Sequence, residues 1–193
     1  MTDNLRSRAL LSRQTSRLLI VDVQSKLLPL VQSPAALEDA CRRLIDAATL
    51  LAIPVSATEQ YPKGLGHTVE SLKDGIGTPI EKLRFSSVPS CDWMNDVTHG
   101  GRHQVVVAGM ETHVCIMQTC LDLVARGFDV YVPADAVSAR KTLDHDTALR
   151  RLHAEGCTIT TWESVLFEWC ETAEAAEFKK ISKLVVQPPR QTT

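Results

Sequence analysis

Short apolar runs alternate with stretches of helical spacing along the chain. Leu18, Leu19, Ile20 and Val21 form an unbroken apolar run that stops at Asp22, the pattern of a strand buried on both faces. Leu37, Cys41, Leu44, Ile45, Ala48 and Leu51 then recur at helical spacing after Pro34, which predicts a helix over residues 34–51. Short strands are expected over 54–58 and 79–82. Ser90 is placed to cap a helix over 91–98 that Gly100 and Gly101 would end. Val105, Val106 and Val107 mark the clearest central strand, over 104–108. A helix over 112–126 follows, stopped by Gly127, and then a strand over 128–132. A helix over 144–155, a strand over 157–161 and helices over 163–169 and 173–184 complete the pattern.

Strands separated by helices imply a parallel sheet covered on both faces. The predicted fold is therefore α/β, a three-layer Rossmann-like arrangement with a parallel sheet of about six strands and helices on both faces. The chain shows no internal repeat and no linker. The expected division is an arm over 1–17, one domain over 18–186 and a Pro-containing tail over 187–193. Ligands of such sheets bind beyond the carboxyl ends of the strands, so the search for chemistry starts there.

Composition narrows the function classes. The chain has 193 residues, 44% hydrophobic and 23% charged, with a formal net charge of −2. No basic surface for nucleic acid is indicated. No apolar run approaches the roughly 20 residues needed to cross a bilayer. Trp93, Trp162 and Trp169 lack an accompanying basic stripe, which favours packing over base stacking. The six cysteines contain no C-x-x-C pair, which argues against a zinc ribbon. They are expected to be reduced thiols in an intracellular compartment, mostly small core residues. Arg6, Arg8, Arg13 and Arg17, with several Ser and Thr and one acid, Asp3, open the chain. A polar arm before the first strand is the preferred reading and a mitochondrial presequence the other. The expected location is cytoplasmic, with mitochondrial as the alternative.

Three predicted strand ends carry reactive groups. Asp22 follows the first apolar run, where a charge is costly without a partner or a job; alone, it reads more readily as a loop Asp bonded to its own backbone. Lys82 ends the third strand and by itself reads as a solvated lysine. Cys115 comes soon after the central strand, in Gly109-Met110-Glu111-Thr112-His113-Val114-Cys115. Thr112 can cap the next helix and place Cys115 in its first turn, where free amides stabilise a thiolate or an oxyanion. Strand, tight turn and nucleophile follow the logic of a nucleophile elbow. A buried structural Cys fits the same spacing.

The blocks Leu19–Gln24, Glu81-Lys82 with Phe85-Ser86, and Val106–Cys115 resemble, in order, the three signature blocks of the isochorismatase-like cysteine hydrolases. Residues 58–66, Thr-Glu-Gln-Tyr-Pro-Lys-Gly-Leu-Gly, resemble the loop after the second strand in the isochorismatase-domain-containing branch. The likeness runs from about Leu18 to about Phe167. It implies that Asp22 is a general base, that Cys115 attacks a carbonyl carbon to form a thioester-like intermediate, and that Lys82 holds both electrostatically. It also implies a cis peptide at Met110–Glu111 and an oxyanion hole from the amides of Glu111 and Cys115. Gln24, Gln60, Tyr61 and His113 are candidate substrate-binding residues.

Nicotinamidase-type relatives hold a metal through an Asp and a His in the loop after the second strand. Gln60 and Pro62 stand there in this chain, so neither metal nor cofactor is expected, and nicotinamide is in doubt as substrate. Isochorismatases proper lack the Cys. The expected activity is hydrolysis of a small amide, imide or carbamoyl compound, by a homo-oligomer of two or more copies, with neither nucleic acid nor membrane as partner. RNA processing, from the ribonuclease name some similar proteins carry, and a catalytically idle scaffold are the alternatives.

Overall fold

A computed structural model describes residues 6–94 and 101–188. Its strands are β1 (Ser16–Val21), β2 (Val55–Gln60), β3 (Ile80–Lys82), β4 (Gln104–Met110), β5 (Asp129–Pro133), β6 (Val137–Ser138) and β7 (Thr158–Thr160). Its helices are α1 (Pro34–Leu50), α2 (Pro62–Leu65), α3 (Met117–Ala125), α4 (Thr142–Ala154), α5 (Trp162–Cys170) and α6 (Phe178–Val186). Six strands lie in the order β3-β2-β1-β4-β5-β7, all pairs parallel, and β6 adds a short seventh beside the end of β4. The fold is the α/β class expected from the alternation of strands and helices.

Strand alternation sorts the core into two layers. Leu18, Ile20, Val106, Ala108 and Met110 face α1, α5 and α6, where Leu44, Val165, Trp169 and Ile181 close the cluster. Leu19, Val21, Val105 and Val107 face the other way, onto Ile116, Cys120, Leu123 and Leu152 from α3, α4 and the turn before α3. Each of the fully buried valines Val105, Val106 and Val107 of β4 contributes roughly 1.5–3 kcal/mol by leaving water.

Several boundaries differ from expectation, for physical reasons. β2 continues to Gln60, because its polar end residues pair with β3 and face the site rather than solvent. Ser90 does not cap a helix: it ends a 3-10 turn, Val88–Ser90, and a second turn covers Asp92–Met94. The rest of that predicted helix lies outside the described residues. The last helix starts at Phe178 rather than 173, because Glu171 at φ 68° ends α5 and the chain reverses first. Gly109 (φ 122°) allows the closest strand approach: a Cβ there would lie 2.1 Å from the Val21 carbonyl oxygen.

Residues 6–15 pack against the amino ends of the strands. Leu11 is fully buried in the core. The buried Gln104 side chain accepts from Ser12 N and Thr15 Oγ1, both at 2.9 Å, and donates to Leu10 O at 3.0 Å. Tyr131 donates its hydroxyl proton to Ala9 O at 3.0 Å. Leu11→Ala should therefore lower unfolding free energy in urea titration by about 2–5 kcal/mol, as for a core leucine. A change within about 0.5 kcal/mol, the range of an ordinary surface substitution, would show that the segment is not packed.

Candidate active site

The chain runs from β1 outward to β2 and β3, then returns to β4 on the other flank of β1. The carboxyl ends of β1 and β4 thus form a topological switch point, where such sheets bind ligands. Asp22 follows β1 there. Regular alternation would put its side chain with Ile20, toward α1. Its φ of 55° breaks that alternation, in a left-handed region that Asp tolerates better than most residues. The carboxylate instead meets Thr58 Oγ1, 2.8 Å from Oδ1, and Lys82 Nζ, 2.7 Å from Oδ2.

The Asp22 and Lys82 side chains are both fully buried. Lys82 Nζ also donates to Gln60 Oε1 at 2.8 Å, Phe85 O at 3.0 Å and Arg84 O at 3.3 Å. With Asp22 that makes four oxygens around three protons, so the ammonium has no donor to spare.

Cys115 lies in a π-helical turn, Thr112–Ile116, that leads into α3. The expected helical start is thus a wider turn, of the kind often found at functional sites. Thr112 does not cap it; its hydroxyl pairs with His145 Nδ1 at 2.9 Å. The Cys115 thiol is buried at 7% exposure and lies near enough to Asp22 and Lys82 to feel both charges. Burial first, and then the Asp22 charge, push its pKa up to about 12, with Lys82 pulling the other way. Burial thus opposes the thiolate that a helix start would favour. The Met110–Glu111 peptide is cis. The Glu111 carboxylate accepts from Arg140 Nε at 2.9 Å and from Arg140 N at 3.3 Å.

The candidate binding residues fall into two groups. Gln24 donates to Gln60 O (3.0 Å) and Gly66 O (2.5 Å) and accepts from Gln60 N (2.8 Å), so it ties β2 to the following loop. Gln60 is spent on Lys82 and on Leu83 O (2.8 Å). Tyr61 is half exposed and lines a cavity of about 370 Å³ with Pro62, Lys63, Glu81, Lys82 and Leu83. His113 lines another, of about 350 Å³, between α3 and α4. Its Nδ1 is buried and makes no hydrogen bond among the described residues. A cavity of about 360 Å³ at the opposite end of the sheet, beside Arg6 and His103, matches these in size. Cavity size therefore does not single out the site; the chemistry around Asp22 does.

Thr58, Ser87 and Thr119 escaped the sequence reading, though Thr58 and Gln60, two apart at a strand end, share the face that meets Asp22 and Lys82. A metal does not fit the loop after β2: Gln60 is already committed and Pro62 offers no side-chain ligand. Among the described residues no group of three or more His, Cys, Asp or Glu side chains is placed to hold a metal ion.

The Isochorismatase domain family matches residues 16–164. Isochorismatase domain-containing protein 1 of Danio rerio is 41% identical over 177 residues, covering 91% of this chain and 62% of its own length. The chain thus spans about three fifths of that relative. Isochorismatase domain-containing protein 2A of Mus musculus is 36% identical over 188 residues, covering 94% of this chain and 89% of its own. A Caenorhabditis elegans structure described as MAR1 ribonuclease is 36% identical with a TM-score of 0.85, covering 95% of each chain.

Because burial holds the Cys115 proton, ultraviolet difference titration of the wild type against Cys115→Ala should show no thiolate absorbance from this residue below about pH 10. A thiolate signal near the ordinary value of about 8.5 would contradict the burial argument.

Proposed function

The chain belongs to the isochorismatase domain family, and we propose that it is a cysteine-dependent hydrolase of a small amide, imide or carbamoyl compound. The observation that carries this reading is the solvent-free Asp22–Lys82 pair beside the Cys115 thiol at the sheet's switch point. A lysine with every donor occupied, a carboxylate and a protonated thiol are the parts of a base-assisted nucleophile.

In this mechanism Asp22 takes the Cys115 proton as Sγ attacks the substrate carbonyl carbon. The carbonyl oxygen becomes an oxyanion, received by the amides of Glu111 and Cys115. The carbon–nitrogen bond then breaks, and Asp22 returns the proton to the leaving nitrogen. Water, deprotonated by Asp22, attacks the thioester, and the acid product leaves with Cys115 restored to the thiol. Lys82 stays charged beside whichever atom carries the negative charge.

The near-complete burial of the trio supports a small substrate over a polymer. The ribonuclease name of the nematode neighbour belongs to that protein. RNA cleavage by this chain would want a basic groove, against a formal net charge of −2. Tyr61 and His113, beside open cavities, are the side chains we assign to substrate contact. Exposed Leu83, Phe85 and Leu143 support assembly into a homo-oligomer. Six free, buried thiols support a reducing compartment, which we take to be the cytoplasm. Among the described residues no helix is long and apolar enough to cross a membrane.

A panel of small amides, imides and carbamoyl compounds assayed for released ammonia tests the reaction. Cys115→Ala should abolish turnover and Cys115→Ser nearly so, because a hydroxyl is far harder to deprotonate. Asp22→Asn should cost roughly 10²–10⁴-fold, while Cys120→Ala should leave the rate unchanged. Turnover surviving in Cys115→Ala would sink the mechanism. Light scattering should give a mass at least twice the 21.3 kDa of one chain; a pure monomer would contradict the assembly.

A further inference from the structure

The two oxygens of Asp22 are held differently. Oδ2 faces Lys82, and Oδ1 accepts from Thr58 Oγ1 at 2.8 Å. The Thr58 hydroxyl also lies 3.3 Å from Ser87 Oγ. Thr58 is 1% exposed and Ser87 fully buried, so water does not compete for either. A carboxylate has no proton to give, and a threonine hydroxyl has one. The Thr58 proton is therefore committed to Asp22, which makes Ser87 the donor to Thr58. Ser87 N–H in turn donates to Thr119 Oγ1 at 2.9 Å. Thr119 is buried on α3, four residues beyond Cys115, and i, i+4 residues share a helix face. Two hydroxyls, Ser87 and then Thr58, are thus directed at the carboxylate, and the Ser87 backbone N–H anchors the turn after β3 to the helix that follows the thiol.

We propose that Thr58, oriented by Ser87, is a positioning residue that sets the basicity of Asp22 and fixes its direction toward Cys115. The inference rests on the reading of Asp22 as the base. A hydrogen bond to the charged form of an acid favours that form, and in a water-free setting each donor in a row strengthens the next. Lys82 supplies the counter-charge. Thr58 supplies the trimming of the carboxylate that takes the proton when Sγ attacks. A threonine that only filled space would leave proton affinity untouched.

The rate of Cys115 alkylation by iodoacetamide, followed by peptide mass spectrometry across pH on the full chain, separates these roles. Wild type should lose reactivity on the acid side as Asp22 becomes protonated. Thr58→Val should move that acidic limb upward by about one pH unit, the size expected for one hydrogen bond to a charged group. Thr58→Ser, which keeps the hydroxyl, should restore the wild-type profile. Ser87→Ala should move the limb the same way but less. If Thr58→Val does not fold, Ser87→Ala alone decides, since it leaves Thr58 in place. A Thr58→Val profile superimposed on wild type, an equal shift in Thr58→Ser, or no shift in Ser87→Ala where it stands alone overturns the proposal. An Asp22→Asn profile that keeps the wild-type acidic limb would instead show that Asp22 is not the base.

Discussion

Neither side chain of the Asp22–Lys82 ion pair is exposed to solvent, and much of the surrounding structure answers to that fact. A buried charge must find protein partners for its remaining polar atoms. The Asp22 carboxylate obtains Thr58, and the ammonium obtains Gln60 and the carbonyls of Arg84 and Phe85. Those carbonyls turn inward, so residues 83–85 curl around the lysine with Leu83 and Phe85 half or more exposed. Gln60 Nε2 closes the ring on Leu83 O. Desolvating two charges roughly cancels their mutual attraction, so such a pair adds little net stability. Its cost is better understood as the setting for a reaction.

The thiol beside the pair is not unusual for its acidity. Burial and Glu38 raise Cys41 to about 12, the same value as Cys115, and burial with Asp92 raises Cys91 to about 11. What distinguishes Cys115 is a buried ion pair beside it. In the proposed mechanism, passing its proton to Asp22 turns carboxylate and thiol into acid and thiolate, beside an unchanged ammonium. The net charge of the buried centre stays constant through the step. No new charge has to be desolvated, which is why a high resting pKa is compatible with a nucleophile here.

The two ends of the sheet do different work. At the amino ends, Leu11 and the Gln104 hydrogen bonds seal the core. At the carboxyl ends, β1 and β4 approach so closely that Gly109 has no room for a side chain. There Asp22 takes a left-handed backbone to reach the opposite face. Stability is concentrated where the chain is regular, and the departures from regularity gather around the thiol.

Local pattern was enough for much of this. The apolar runs ending at Val21 and Val107 marked β1 and β4, because a strand buried on both faces has no polar phase to hide it. Helical spacing marked α1 within one residue at its end. The resemblance of the blocks around Asp22, Lys82 and Cys115 then pointed to the candidate trio before any geometry was known. The end of β2, the two-residue β6 and the π turn before α3 were not legible, since each is defined by which strand or carbonyl lies opposite. The role of Thr58 was hidden for the same reason: it reads as an ordinary strand threonine until Asp22, 36 residues earlier, is placed against it. The burial of Cys115 works against the local expectation. Position near a helix start is a property of a few neighbouring residues and can be read along the chain. Desolvation and the nearness of a carboxylate depend on segments far apart in sequence, and only the folded structure brings them together.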